Sequence, residues 1–156
     1  MRGKVKTFKE ILGVVRRAKT RGQKIVTTNG CFDILHIGHL KNLERAKSLG
    51  DILIVGINSD KSVRVLKGRG RPVVPERDRA ELLAGLWVVD YVFIFREKTP
   101  IDWLRKIKPN VHVKGSDGVA KKILGPILRL TGTKLVLVPL IKDKSTTKII
   151  KRISKL

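Results

Sequence analysis

Thr28-Asn29-Gly30-Cys31-Phe32-Asp33-Ile34-Leu35-His36-Ile37-Gly38-His39 is the stretch on which the reading of this 156-residue chain turns. Residues 24–28 are mostly apolar or β-branched and predict a short strand. Asn29-Gly30 marks a tight turn, and His36-Ile37-Gly38-His39 runs into an amphipathic helix with Leu40, Leu43 and Ala46 on its inner face and Gly50 at its stop. A strand that breaks through glycine into a helix N-terminus brings unpaired backbone N–H groups and the positive end of the helix dipole to one point, which suits an anion. Two histidines three positions apart share a face of the first turn, so two imidazoles flank that point.

Working outward, Ile52-Leu53-Ile54-Val55-Gly56-Ile57 is a near-continuous apolar run, as in a parallel strand buried on both faces. Strand, helix and strand at this spacing form a right-handed βαβ unit. Asn58-Ser59-Asp60 falls at the C-terminal end of the second strand, the edge where open α/β sheets bind ligands. Asp60 reads equally as a helix N-cap and as a contact for an acceptor substrate. Residues 61–71 carry Lys61, Arg64, Lys67, Arg69 and Arg71 around Gly68 and Gly70, which reads either as a solvated loop or as a flap able to close over phosphates.

The rest of the chain keeps alternating. A helix is expected from Pro75 with Leu82, Leu83 and Leu86 inward, then a strand over 90–95 and a short helix from Thr99-Pro100. A fourth strand over 111–114 leads to Gly115-Ser116-Asp117, with His112 packed inside it. A helix over 119–130 and a strand over 135–138 follow. Ser145 opens the last helix as an N-cap, and that helix start can also face a phosphate or ribose. Ahead of all this, residues 7–21 predict a helix on the sheet edge with a solvated basic face. The whole reads as α/β: one domain spanning 1–156, with a five-stranded parallel sheet, helices on both faces, and a core over 23–150.

The balance of 35 basic against 13 acidic residues, +22, calls for polyanionic partners. A nucleic-acid-binding module is the rival to a phosphate-handling enzyme. Against it, the basic residues are dispersed and aromatics make up 4% of the chain, few for base stacking. One cysteine excludes an intrachain disulfide, and three histidines, two in one motif, argue against structural zinc. No apolar run reaches membrane-spanning length and the N-terminus lacks a signal-peptide core, so a cytoplasmic protein without a membrane partner is expected.

The HxGH pattern after Asn29-Gly30-Cys31-Phe32-Asp33 resembles that of the HIGH-type nucleotidyltransferases, and within them the adenylyltransferases of ADP-heptose synthesis. The likeness runs through Leu66-Lys67-Gly68, Arg71-Pro72-Val73, Arg79, Val113-Lys114-Gly115 and Ser145-Thr146-Thr147. It departs at Gly115-Ser116-Asp117-Gly118, where the family more often has Gly-Gly-Asp-Tyr. The resemblance implies a Rossmann-like sheet of order 3-2-1-4-5. It implies transfer of AMP from ATP, with Mg²⁺ on the phosphates, to a sugar 1-phosphate such as D-glycero-β-D-manno-heptose 1-phosphate. It implies that His36, His39 and Lys67 act on the reacting phosphates. Asn29, Gly30, Cys31, Phe32, Lys114, Gly115, Asp117, Ser145, Thr146 and Thr147 would hold the nucleotide. Asp33, Asp60, Arg71 and Arg79 would hold substrate, Arg79 by aiming at phosphate or else lying on the surface. No protein metal ligand is expected, and a homodimer is left open. A sugar kinase often fused to this domain is not expected in so short a chain. A cytidylyltransferase for glycerol 3-phosphate and an FMN adenylyltransferase share the motif and stay open as alternatives.

Overall fold

The computed structural model describes residues 3–116, 119–139, 141 and 144–155. Five parallel strands, β1 (Ile25–Gly30), β2 (Ile52–Asn58), β3 (Tyr91–Phe95), β4 (Val111–Gly115) and β5 (Lys134–Val138), form one sheet of order β3-β2-β1-β4-β5. This is the order expected from the resemblance. The helices are α1 (Phe8–Thr20), α2 (Ile37–Lys47), α3 (Asp60–Lys67), α4 (Glu76–Ala84), α5 (Ile101–Ile107), α6 (Val119–Leu130) and α7 (Thr146–Ile153).

Alternation along the strands builds two cores. On one face Val26, Leu53, Val55, Ile57, Val92, Val111 and Val113 pack with Leu43 and Ala46 of α2 and Ala80, Leu83 and Ala84 of α4. On the other, Ile25, Ile54, Phe93 and Phe95 pack with α1, with Trp103, Leu104 and Ile107 of α5, and with Leu124, Ile127 and Leu128 of α6. β2, with Leu53, Val55 and Ile57 in one core and Ile54 in the other, therefore reads as an unbroken apolar run.

Several local expectations are corrected. The basic stretch before Gly68 is not a loop: Ser59 caps α3, accepting from Ser62 N–H at 3.3 Å, and Val63 is buried. Asp60 is thus the first residue of α3 and not its N-cap. Leu82 points outward at 54% exposure, because the inner row of α4 is Arg79, Ala80, Leu83 and Ala84. Residues 4–6 also lengthen the β3 edge, with Val5 bridging Val92, a pairing too short to show in the sequence pattern.

His112 lies inside β4, fully buried, with Nδ1 2.9 Å from Thr27 Oγ1 and its ring edge-on to Trp103. Burial, with Lys114 nearby, pushes its pKa down to about 3. An unfolded histidine titrates near 6.5. Between those values the unfolded chain binds a proton that the folded chain refuses. The contribution to stability is therefore intact above pH ~6.5 and falls by about 1.4 kcal/mol per pH unit below it. Denaturant melts at pH 7, 6 and 5 should show at least that slope, since His36 and His39 add to it, and His112→Gln should lower it by about 1.4 kcal/mol per pH unit. A slope unchanged in His112→Gln would place the titrating group elsewhere.

Candidate active site

The chain leaves β1 for β2 on one side and later returns to place β4 on the other, so the switch point lies between the C-terminal ends of β1 and β4. A cleft of about 780 Å³ opens there. It is lined by Asn29, Gly30, Cys31, Phe32 and Asp33 at and after the end of β1, by His36 and His39 of α2, and by Lys67 and Arg71. Lys114 of β4 and Ser145, Thr146 and Thr147 at the start of α7 complete the expected set. Residues more than a hundred positions apart meet here, as in the 3.2 Å bond from Thr146 Oγ1 to Ile34 O.

The histidine pair is stacked, with ring centroids 3.9 Å apart and planes 23° from parallel. His36 is itself the N-cap of α2, its Nδ1 accepting from Gly38 N–H at 3.1 Å. An acceptor Nδ1 carries no proton, so the neutral ring holds its hydrogen on Nε2, the atom left to donate to a ligand. Gly38 is required at this spot because a Cβ would lie 2.9 Å from the His36 ring. Burial lowers the pKa of both rings, with Lys144 adding to the effect at His36, while His39 reaches about 4 with help from His36. Both are therefore neutral donors near pH 7.

The cations Lys67, Arg71, Lys98, Lys114, Lys144 and Lys148 line the cleft, beside the carboxylate of Asp33. Lys114 Nζ reaches Asn29 O at 3.0 Å, bridging the ends of β4 and β1. Burial pushes the Cys31 thiol up despite the cations around it, which keeps it a thiol and not a nucleophile. Asn29 Oδ1 and His39 Nδ1 are buried with no hydrogen-bond partner among the described residues.

Two expected substrate contacts turn out to be clamps. Asp33 is buried and accepts from Val73 N–H at 2.7 Å, Val74 N–H at 3.0 Å and Arg71 Nε. Burial alone would raise its pKa, but these donors outweigh it and keep the carboxyl ionised, below the ordinary range. Arg79 neither faces phosphate nor lies on the surface. It is fully buried, donating from Nε to Val74 O at 2.9 Å, from Nη1 to Cys31 O, and from Nη2 to Asn58 O at 2.9 Å and Asp60 Oδ1 at 2.8 Å. Its guanidinium takes the place of a ladder between the turn after β1, the end of β2 and the loop before α4. Asp60 is held by this contact and, like Arg79, does not line the cleft; Gly115 ends β4 outside it as well. Asp117 lies outside the described residues.

The cleft also includes residues the sequence reading did not assign. Asn42 follows His39 by three positions on α2, a spacing that could have identified it. Lys98 and Thr99 follow the C-terminal end of β3, on the same ligand-binding edge as Asn58. Ile123, Leu124 and Ile141 give one wall an apolar surface of the kind a nucleobase can lie against, and no sequence motif marks them. Among the described residues no group of three or more His, Cys, Asp or Glu side chains is placed to hold a metal. No helix among them is long and apolar enough to cross a membrane.

Comparisons with known proteins agree on one family. The family model described as cytidylyltransferase-like matches residues 27–152. Bifunctional protein HldE of a Nitratiruptor species is 49% identical over 148 residues, covering 95% of this chain. Bifunctional protein HldE of Aliarcobacter butzleri is 50% identical over 149 residues, covering 96%. The chain spans 31% of the length of each of these relatives. A solved structure of the lipopolysaccharide core biosynthesis protein from Thermoplasma volcanium superposes with a TM-score of 0.67 at 29% identity, covering 79% of this chain and all of that one.

Proposed function

We propose, because the chain belongs to the cytidylyltransferase-like family, that this nucleotidyltransferase moves AMP from ATP to D-glycero-β-D-manno-heptose 1-phosphate, releasing pyrophosphate and ADP-heptose. The observation that carries the reaction type is the stacked, neutral pair His36–His39 at the mouth of α2, beside Lys67 and Lys114. The acceptor's phosphate oxygen is already a nucleophile, so the enzyme need not provide one, and the protonated Cys31 fits that economy. Catalysis then rests on positioning and on donors aimed where charge grows on the α-phosphate and the departing pyrophosphate. The His36 Nε2–H, the His39 imidazole, Lys67 and the backbone of residues 30–32 are those donors. Lys114, the apolar wall and the start of α7 hold the nucleotide, and the single sheet carrying these groups supports reading the chain as one catalytic domain.

The choice of acceptor is supported by the resemblance through Asn29 to Thr147 and by the likeness to the HldE proteins. Mg²⁺ fits this site on the substrate side. Asp33, the carboxylate among the described cleft-lining residues, is engaged by Arg71 and two backbone N–H groups, so phosphate oxygens and water would hold the ion. Bound there, it would neutralise phosphate charge. Pyrophosphate release from ATP and from CTP, each against heptose 1-phosphate, glycerol 3-phosphate and FMN, tests the assignment. ATP with heptose 1-phosphate should be the fastest pair; preference for CTP with glycerol 3-phosphate, or for FMN, would replace the acceptor while leaving the reaction type.

A further inference from the structure

We propose that Phe32 is a positioning residue: its ring holds the His39 imidazole against His36 and so sets where both rings meet a substrate phosphate. The inference deepens the proposed function, resting on its assignment of His39 as a phosphate donor, and gives the Phe32 side chain a task beyond the nucleotide contact that the resemblance implies. Three rings form a row: Phe32 and His39 have centroids 5.1 Å apart, and His39 and His36 3.9 Å apart. Glycines close both ends. A Cβ on Gly30 would lie 3.1 Å from the Phe32 ring, and one on Gly38 2.9 Å from the His36 ring.

His36 has a hydrogen bond to orient it; His39 Nδ1 is buried and has none among the described residues. Ring packing is therefore what orients His39, and Phe32 supplies one side of it. The backbone is arranged for that purpose. Phe32 is 8% exposed and sits at φ 48°, a left-handed conformation rare for a bulky residue. Clamps on both sides keep it there: Arg79 takes the carbonyl of Cys31 before it, and Val73 and Val74 N–H take the carboxylate of Asp33 after it. Strained residues that the surroundings over-determine cluster at functional sites, and here the strain has a visible beneficiary in the neighbouring imidazole.

Phe32→Leu keeps an apolar side chain and removes the ring. Its kcat for pyrophosphate release should fall about 10- to 100-fold, the effect of a small misplacement of a reacting group, while KM for ATP changes little. A second readout needs no substrate. In ¹⁵N–¹H NMR titrations, His39 of the wild-type protein should stay neutral to about pH 4. The titratable groups that act on the pair are His36 itself, at the N-cap of α2, and Lys144 ahead of α7, with Lys67, Arg71, Lys114 and Lys148 elsewhere in the same cleft, and all of them remain in the variant. With the ring gone, water reaches His39 and its midpoint should rise by about one pH unit or more toward 6.5. If Phe32→Leu does not fold, Phe32→Met, which keeps more of the volume without the ring, should raise the same midpoint. An unchanged midpoint in the folded variant overturns the proposal, and so does an unchanged kcat. If the wild-type protein releases no pyrophosphate with any acceptor, the functional reading fails, while the titration still decides whether Phe32 governs His39.

Discussion

His36→Asn and His39→Asn should each lower kcat by about 10²–10³-fold, about 3–4 kcal/mol of barrier, the usual loss when one preorganised donor to a developing charge is removed. Asparagine makes the experiment clean at position 36. His36 caps α2 through Nδ1, and Asn is among the best N-caps, so the helix start survives while the Nε2–H donor is lost. At position 39 the substitution removes the central ring of a buried row, so a modest fall in melting temperature accompanies the loss of turnover. Because the two imidazoles act on the same charge, the double variant should lose less than the product of the single losses. Steady-state pyrophosphate release beside thermal melts measures both quantities. Near wild-type kcat in either folded single variant would remove that histidine from the reaction.

Arg79→Met should cost more stability than any of the histidine or phenylalanine substitutions, about 3–5 kcal/mol, as when one partner of a buried charge network is removed. The methionine fills much of the volume but leaves the carbonyls of Cys31, Asn58 and Val74 and the Asp60 carboxylate without their donor. At roughly 2–4 °C per kcal/mol for a chain of this size, the melting temperature should drop by about 10 °C. Turnover per folded molecule should fall too, since Cys31 and Asn58 line the cleft. An arginine aimed at phosphate would behave the other way round, losing activity with its melting temperature intact. A melt of Arg79→Met unchanged from wild type would therefore contradict the clamp.

That arginine marks the boundary of what the sequence makes legible. The strands and helices carry their own signals: β2 as an unbroken apolar run, α2 through Leu43 and Ala46, α7 through the Ser145 cap. So does the histidine pair, although His36 sits at the N-cap and only His39 in the first turn, so that the two rings stack over the same helix end. Arg79 and Asp33 do not, because a charged side chain looks the same in sequence whether it meets a substrate or the carbonyls and amides of neighbouring loops. The distinction rests on burial, and burial depends on segments up to forty-eight positions away closing over the guanidinium. Residues 61–67 failed for a related reason: in a basic, glycine-flanked stretch, the Ser59 cap and the buried Val63 are faint marks of a helix. Ile123, Leu124 and Ile141 join the cleft through tertiary approach alone, which no periodicity reports.

The central claim is that the bond broken lies between the α- and β-phosphates of ATP and that the acceptor is a sugar phosphate. ATP labelled at its α-phosphorus, incubated with the protein, Mg²⁺ and D-glycero-β-D-manno-heptose 1-phosphate, tests it most directly. The account predicts label in a sugar nucleotide, unlabelled pyrophosphate in equal amount, and loss of both signals in His36→Asn. Label found in free AMP, or kept in ADP while the sugar gains an unlabelled phosphate, would contradict it.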